Sequence, residues 1–156
     1  MKRLVPAFLL VAVVACGPKM ITNTQVEDTP QNRVIAELVE KYRQAVEHRD
    51  VASLKELVSR RYFSNAGTTA DANDDYGYEQ LEKKVFPVLR DQIKSVQFTI
   101  YLRKIEVQGE RAHADFEYYY KFFYVDGGKD RWMAKNDFAR LDFVKEDGTW
   151  RIINGL

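Results

Sequence analysis

The chain has 156 residues, enough for one domain and not two. Its 24 basic and 23 acidic side chains nearly cancel, which excludes a global nucleic-acid footprint and an acidic solvating tail. Hydrophobic residues make up 46%, with 9 Phe, 9 Tyr and 2 Trp, so a mostly disordered chain is excluded too.

Residues 1–15 have the build of a secretory signal peptide. Lys2 and Arg3 give a positive start, and an apolar run from Leu4 to Ala15 follows, broken only by Pro6. That run is too short to span a bilayer as a helix, which needs about 20 residues. It ends Val13-Val14-Ala15-Cys16, and Cys16 is the only cysteine of the chain. An isolated cysteine excludes an intramolecular disulfide framework and a Cys-based zinc site. The ending resembles the bacterial lipobox. The resemblance implies cleavage before Cys16, acylation of its sulfur, and a stable anchor supplied by several acyl chains. An ordinary signal peptide with a chance cysteine is the plainer alternative. The residue after Cys16 is Gly17 and not Asp, which by the same resemblance points to the outer membrane, facing the periplasm. Residues 16–30 carry Gly, two Pro, several Thr and no apolar period, and read as a flexible tether.

A helical stripe then runs through Val34, Ile35, Leu38, Val39, Tyr42, Ala45 and Val46, with charges on the other side. A second short helix carries Val51, Leu54, Leu57, Val58 and Tyr62, with Asp50 placed to cap it. The polar stretch 65–77 has no period. A third helix carries Tyr78, Leu81, Val85, Leu89 and Ile93, and Pro87 predicts a kink or a split in it.

After Ser95 the period becomes two. Val96, Phe98, Ile100 and Leu102 alternate with polar neighbours. Residues 111–125 predict a long strand with Ala112, Ala114, Phe116, Tyr118, Tyr120 and Phe122 on its apolar face. Residues 131–145 predict a third strand, Asp147-Gly148 a hairpin turn, and 150–154 the last strand. Pairing Phe143 with Ile152 across that turn puts the odd positions of the third strand inward, although a single bulge would reverse the parity. Helices followed by strands predict an α+β fold, three N-terminal helices packed on a curved antiparallel sheet of about four strands.

The stretches YRQAVEHRDVASLKELV and KEDGTWRIING, with that element order, resemble the nuclear-transport-factor-2-like superfamily of cone-shaped domains over residues 31–156. The resemblance implies an apolar pocket between helices and sheet. It also implies homodimers through the open sheet face, for which Tyr119 and Phe123 on the otherwise polar face are the hint. The superfamily holds isomerases, dehydratases, cyclases and docking domains, so the fold does not name the function. Within it, residues 38–65 resemble the start of the ketosteroid isomerases. Tyr42 then matches the tyrosine that donates to the substrate oxygen. The position of the general base falls on Ala66, beside Asn65, and neither accepts a proton at neutral pH.

The candidate pocket residues are Tyr42, Tyr118, Tyr120 and Asp137. The tyrosines offer hydroxyls to a ligand carbonyl, or serve as core residues bonded to backbone. Asp137 on an apolar face would have a raised pKa suited to acid–base work. His113 beside Asp115 and Arg140 read as surface groups, and His48 as a helix-end cation. Asp71, Asn73 and Asp75 have the 1-3-5 spacing of a calcium loop, but Tyr76 stands where that loop needs glycine, so a solvated loop is the simpler reading. No metal or cofactor is expected. The expected function is a lipid-anchored, non-catalytic envelope domain that binds a hydrophobic small molecule or another envelope protein. The alternative is a small isomerase, dehydratase or cyclase.

Overall fold

Helix α1 (Pro30–Glu47) starts where two local devices coincide. Thr29 Oγ1 accepts a hydrogen bond from the Asn32 N–H at 3.1 Å, and Pro30 occupies a first-turn position that needs no donor. The helix buries Ile35, Val39 and Ala45. Its C-cap is His48, and Arg49 leaves it with φ 56°. Helix α2 (Val51–Leu57) is capped by Asp50, whose Oδ1 accepts from the Ser53 N–H at 3.1 Å. This computed structural model describes residues 17–65 and 75–156. The signal peptide, Cys16, Ala66, Asp71 and Asn73 lie outside the described residues.

The stretch read as a flexible tether carries structure of its own. Ile21 N–H donates to the Val26 carbonyl at 2.8 Å, and Gln25 N–H donates to the Leu102 carbonyl at 3.1 Å. Val26 is 3% exposed and belongs to the core. One valine and one isoleucine are too sparse to show a period, yet they suffice to seat a turn against the sheet.

Strands β1 (Phe63–Ser64) and β2 (Tyr76–Gly77) form a small antiparallel pair. The third helix, α3, follows over 78–92. Tyr78–Gln80 is an α turn, and Leu81–Val85 and Val88–Gln92 are wide turns. The Phe86 N–H reaches back five residues to the Leu81 carbonyl, and Ile93 N–H reaches Val88. Pro87 stands between the two wide turns, which is the split its missing N–H predicts.

Four strands then run β3 (Ile93–Gln108), β4 (Arg111–Asp126), β5 (Lys129–Glu146) and β6 (Thr149–Asn154), antiparallel and in sequence order. The Asp147-Gly148 turn has φ 48° and 81°, the mirror-image turn that a right-twisted hairpin requires. A register shift between Leu102 and Lys104 turns Ile105, not Lys104, inward against Ala114. No shift interrupts the β4–β5 pairing. The odd residues of β5 therefore stay on the inner face, as the Phe143–Ile152 pairing predicts. α1 packs chiefly on β3, so the core lies under that half of the sheet. The architecture is α+β, with helices on one face of an antiparallel sheet.

Candidate functional site

The inner face of the sheet carries an aromatic ladder. β3 and β4 pair Phe98 with Tyr120 and Ile100 with Tyr118. The Tyr42 ring of α1 meets Phe98 edge-on at 5.8 Å, and Phe98 meets Tyr118 at 6.3 Å. Tyr118 stacks on Tyr120 at 5.8 Å, and Tyr120 on Phe122 at 4.5 Å. Period two along β4 puts these rings on one side, and offset stacking suits them. Helix α1 does not extend over β5. Met133, Lys135 and Asp137, paired with Phe122, Tyr120 and Tyr118, are therefore each about half exposed.

The ladder ends in polar groups. Burial pushes the Tyr42 hydroxyl pKa above its ordinary value, and the neighbouring hydroxyls of Tyr118 and Tyr76 add to the rise. Burial also raises Tyr62, with Tyr76 beside it. Both hydroxyls stay protonated as donors. Tyr76 Oη donates to the Leu156 carbonyl at 2.6 Å. Tyr62 Oη donates to the same oxygen at 3.3 Å and accepts from the Leu156 N–H at 3.0 Å. The tail of the described chain is thus fixed beside the tyrosines. Tyr78 Oη is buried with no hydrogen-bond partner among the described residues, and the Arg60 guanidinium lies 4.2 Å from its ring centre.

Asp137 shares this face, as its parity predicts, but not with the expected titration. Its carboxylate accepts from Lys135 Nζ at 2.7 Å and from the Phe138 N–H at 2.9 Å. Lys135 first, then that N–H, hold its pKa below the usual carboxylate value. Asp137 lies beyond the helical cover, where water solvates the charge, so the upward push of desolvation is outweighed by Lys135 and the Phe138 N–H. Lys135 is raised in turn, by Asp137 first and by Tyr118 second. The structure thus brings together Tyr42, Tyr118, Tyr120 and Asp137 and adds Tyr62, Tyr76 and Lys135. The odd parity of β5 already implies Lys135. Tyr62, expected on the second helix, lies beyond its end at Leu57, and the positions of Tyr62 and Tyr76 depend instead on the short β1–β2 pair. Asp75 of the calcium-like spacing immediately precedes β2. Among the described residues, no group of three or more His, Cys, Asp and Glu is disposed to hold a metal ion.

The outer face is ionic toward one end. Arg140 grips Asp115 through two bonds of 2.6 and 3.0 Å. His113 Nε2 lies 3.3 Å from a Glu106 oxygen on the neighbouring strand, so its cross-strand partner is Glu106. A polar cleft of about 610 Å³ at this end of the sheet is lined by Arg61, Glu106, Arg111, His113 and Asp142 among others. Asp115, Glu117 and Glu146 are each held below their ordinary pKa, first by Arg140, by Arg103 and by Ser59 respectively. A carboxyl depressed in the folded state stabilises above its unfolded pKa and loses that contribution as pH falls through the folded pKa. Thermal melts should therefore show a midpoint that is flat from pH 7 to about 5 and falls toward pH 3.

The model of the SnoaL-like domain matches residues 35–155. Solved structures share the fold. A nuclear-transport-factor-2-like superfamily protein from Salmonella enterica superposes with a TM-score of 0.63 at 16% identity, covering 79% of this chain and 86% of that one. A chain from Novosphingobium aromaticivorans, provisionally assigned as a scytalone dehydratase, gives 0.61 at 14%, with 80% of each chain covered. A chain from Shewanella frigidimarina, provisionally assigned as a ketosteroid isomerase, gives 0.59 at 12%, covering 78% and 92%. These identities carry the fold alone. No curated protein matches by sequence.

Proposed function

The chain belongs to the SnoaL-like domain family, and on that premise we propose that it is a non-catalytic binding domain held at the cell envelope by lipid on Cys16. Its ligand is a hydrophobic molecule carrying a hydrogen-bond acceptor. The observation that carries this reading is the aromatic ladder Tyr42–Phe98–Tyr118–Tyr120–Phe122, with hydroxyls at its end and its outer half uncovered by helix. Stacked rings supply apolar contact area and hydroxyls supply orientation.

The same face argues against acid–base turnover. A general base works best with a pKa near the operating pH. Asp137 is displaced the other way, toward permanent ionisation, by Lys135. The enzyme alternative draws on the neighbours assigned as a dehydratase and an isomerase. It predicts turnover of a β,γ-unsaturated ketone that Asp137→Asn abolishes.

The probe for binding is the neutral fluorophore N-phenyl-1-naphthylamine, titrated into the full chain. Its fluorescence should rise on binding. Tyr118→Ala and Tyr120→Ala should each weaken binding about tenfold, from the loss of one stacked ring of buried area. Asp137→Asn should leave it within about twofold. Binding indifferent to both tyrosine variants would overturn the reading. The anchor has its own check. A clickable fatty acid should label the wild-type chain and not Cys16→Ala, and that variant should leave the membrane fraction. Label retained by Cys16→Ala would refute the anchor.

A further inference from the structure

The two free edges of the main sheet are treated differently. The edge of β3 is capped by side chains and by the N-terminal segment. Arg43 Nη1 donates to the Phe98 carbonyl at 3.1 Å, and Glu47 Oε1 accepts from the Phe98 N–H at 3.5 Å. Arg49 Nη1 donates to the Ile93 carbonyl at 2.6 Å, and Gln25 N–H to the Leu102 carbonyl at 3.1 Å. The edge of β5 has no such cover. β6 pairs only with residues 142–146 of β5, and Gly155 packs against Arg140. On the side away from β4, residues 129–139 are left without a neighbouring strand among the described residues. Residues 125–138 are all exposed, including Trp132 at 63% and Phe138 at 71%.

A long, exposed edge strand presents a row of unpaired backbone groups and is a template for another strand; charged residues on it, such as Lys129, Arg131, Lys135 and Asp137, restrict which strand can pair. Here the orientation of its backbone is readable. Gly155 crowds the Arg140 carbonyl oxygen from this side, and Asp126 pairs with Lys129 across the two-residue Gly127-Gly128 turn, a closing pair that exchanges both backbone bonds and so turns the odd residues of β5 toward β4. Alternation then makes the even residues 130–138 the ones whose N–H and C=O face outward.

We propose that β5 pairs edge to edge with β5 of a second copy, antiparallel about a two-fold axis at Ala134. Two independent features select this occupant and register. Ala134 is the midpoint of the free run 129–139. The same axis sets Arg131 opposite Asp137 of the second copy, twice over. Shifting the axis by one residue, to Met133 or to Lys135, opposes Arg131 with Lys135 or Lys135 with itself, and like charges opposite one another repel. In the Ala134 register the even pairs 130–138, 132–136 and 134–134 exchange both backbone bonds, roughly ten bonds in all. The Arg131–Asp137 pairs fall at the positions between, where side chains approach most closely. The two outer faces join into one surface, bringing each Trp132 beside the other copy's Asn136. On the inner face each copy contributes Arg131 to the Asp137–Lys135–Tyr118 end of the other's ladder. This contact is edge pairing, distinct from stacking of open faces through Tyr119 and Phe123.

The test is native mass spectrometry of the full chain released from detergent micelles, over a concentration series. Wild type should appear as a dimer. Ala134→Pro removes an N–H that faces outward and not into the β4–β5 ladder, so the monomer keeps its melting temperature. The dimer should weaken at least about tenfold. Arg131→Asp should weaken it about tenfold by setting two pairs of like charges opposite, and adding Asp137→Arg should restore it to within about threefold. A wild type that stays monomeric overturns the proposal. So does a dimer that withstands Ala134→Pro but is lost in Phe123→Lys, because that dimer is face-stacked. Failure of the charge swap to restore association overturns the register.

Discussion

Replacing Gly155 with alanine is expected to destabilise the domain by about 2–4 kcal/mol, the range of strained or overpacked sites. Two independent penalties coincide there. Gly155 has φ +101°, which side-chain-bearing residues rarely adopt. A Cβ at that position would also overlap the Arg140 carbonyl oxygen and come within 3.0 Å of the carbonyl carbon and 3.1 Å of Leu141 Cα. These neighbours are backbone of β5 and cannot swing away as a side chain would. The path of the chain into Leu156 requires the glycine. The register shift between Asp142 and Phe143 inserts Ile153 as an extra residue in β6. That bulge and Gly155 together carry Leu156 to the hydroxyls of Tyr62 and Tyr76. Denaturant unfolding should show a lower midpoint with an unchanged slope. Gly109, at φ +60° with open space around its missing Cβ, supplies the control. Gly109→Ala should cost only about 1 kcal/mol, from backbone conformation alone. Equal losses at the two sites would show that the Arg140 contact is not the cause.

How the sequence announces this fold depends on whether one residue type or a long-range pairing decides. Asp50 and Asp147-Gly148 act within a few residues of themselves, and their roles as cap and turn are readable from the chain. The alternation 112–122 announces β4 because one face of a strand must be apolar. The Phe143–Ile152 pairing comes from the turn between them, and with it the inward side of β5. The exposure of Asp137 does not. It depends on how far α1 reaches across the sheet, which no local pattern states. Its parity and its apolar neighbours suggest a raised pKa, while the uncovered edge and Lys135 produce a lowered one. Tyr62 and Tyr76 are hidden for a similar reason. Each belongs to an element of two residues or its flank, too short to carry a period. The ordered segment around Val26 reads as a linker because its contacts are with Leu102, far along the chain.

The second large effect separates the two faces of β5. Phe143→Ala is expected to cost about 3–5 kcal/mol, the range for removing a fully buried ring. Phe138→Ala, on the same strand, should leave monomer stability within about 0.5 kcal/mol. Phe143 is 1% exposed and sits in the core with Leu141 and Ile152, whereas Phe138 is 71% exposed. The two positions differ by an odd number of residues, so the unbroken β4–β5 register sends them to opposite sides. Removing Phe143 empties a space bounded by β6, the short strand that also positions Gly155 and Leu156, so the tail contact with Tyr62 and Tyr76 should loosen as well. Phe143→Leu, which keeps most of the volume, should recover more than half of the loss. Thermal unfolding of the three variants decides the matter. A drop of roughly 10 °C or more for Phe143→Ala, a few degrees for Phe143→Leu and little for Phe138→Ala is the expected order. A Phe138→Ala loss as large as that of Phe143→Ala would mean that the outer face of β5 is covered in the folded state. The association measured for the β5 edge should then lose strength in the same variant, because folding and pairing would share that face.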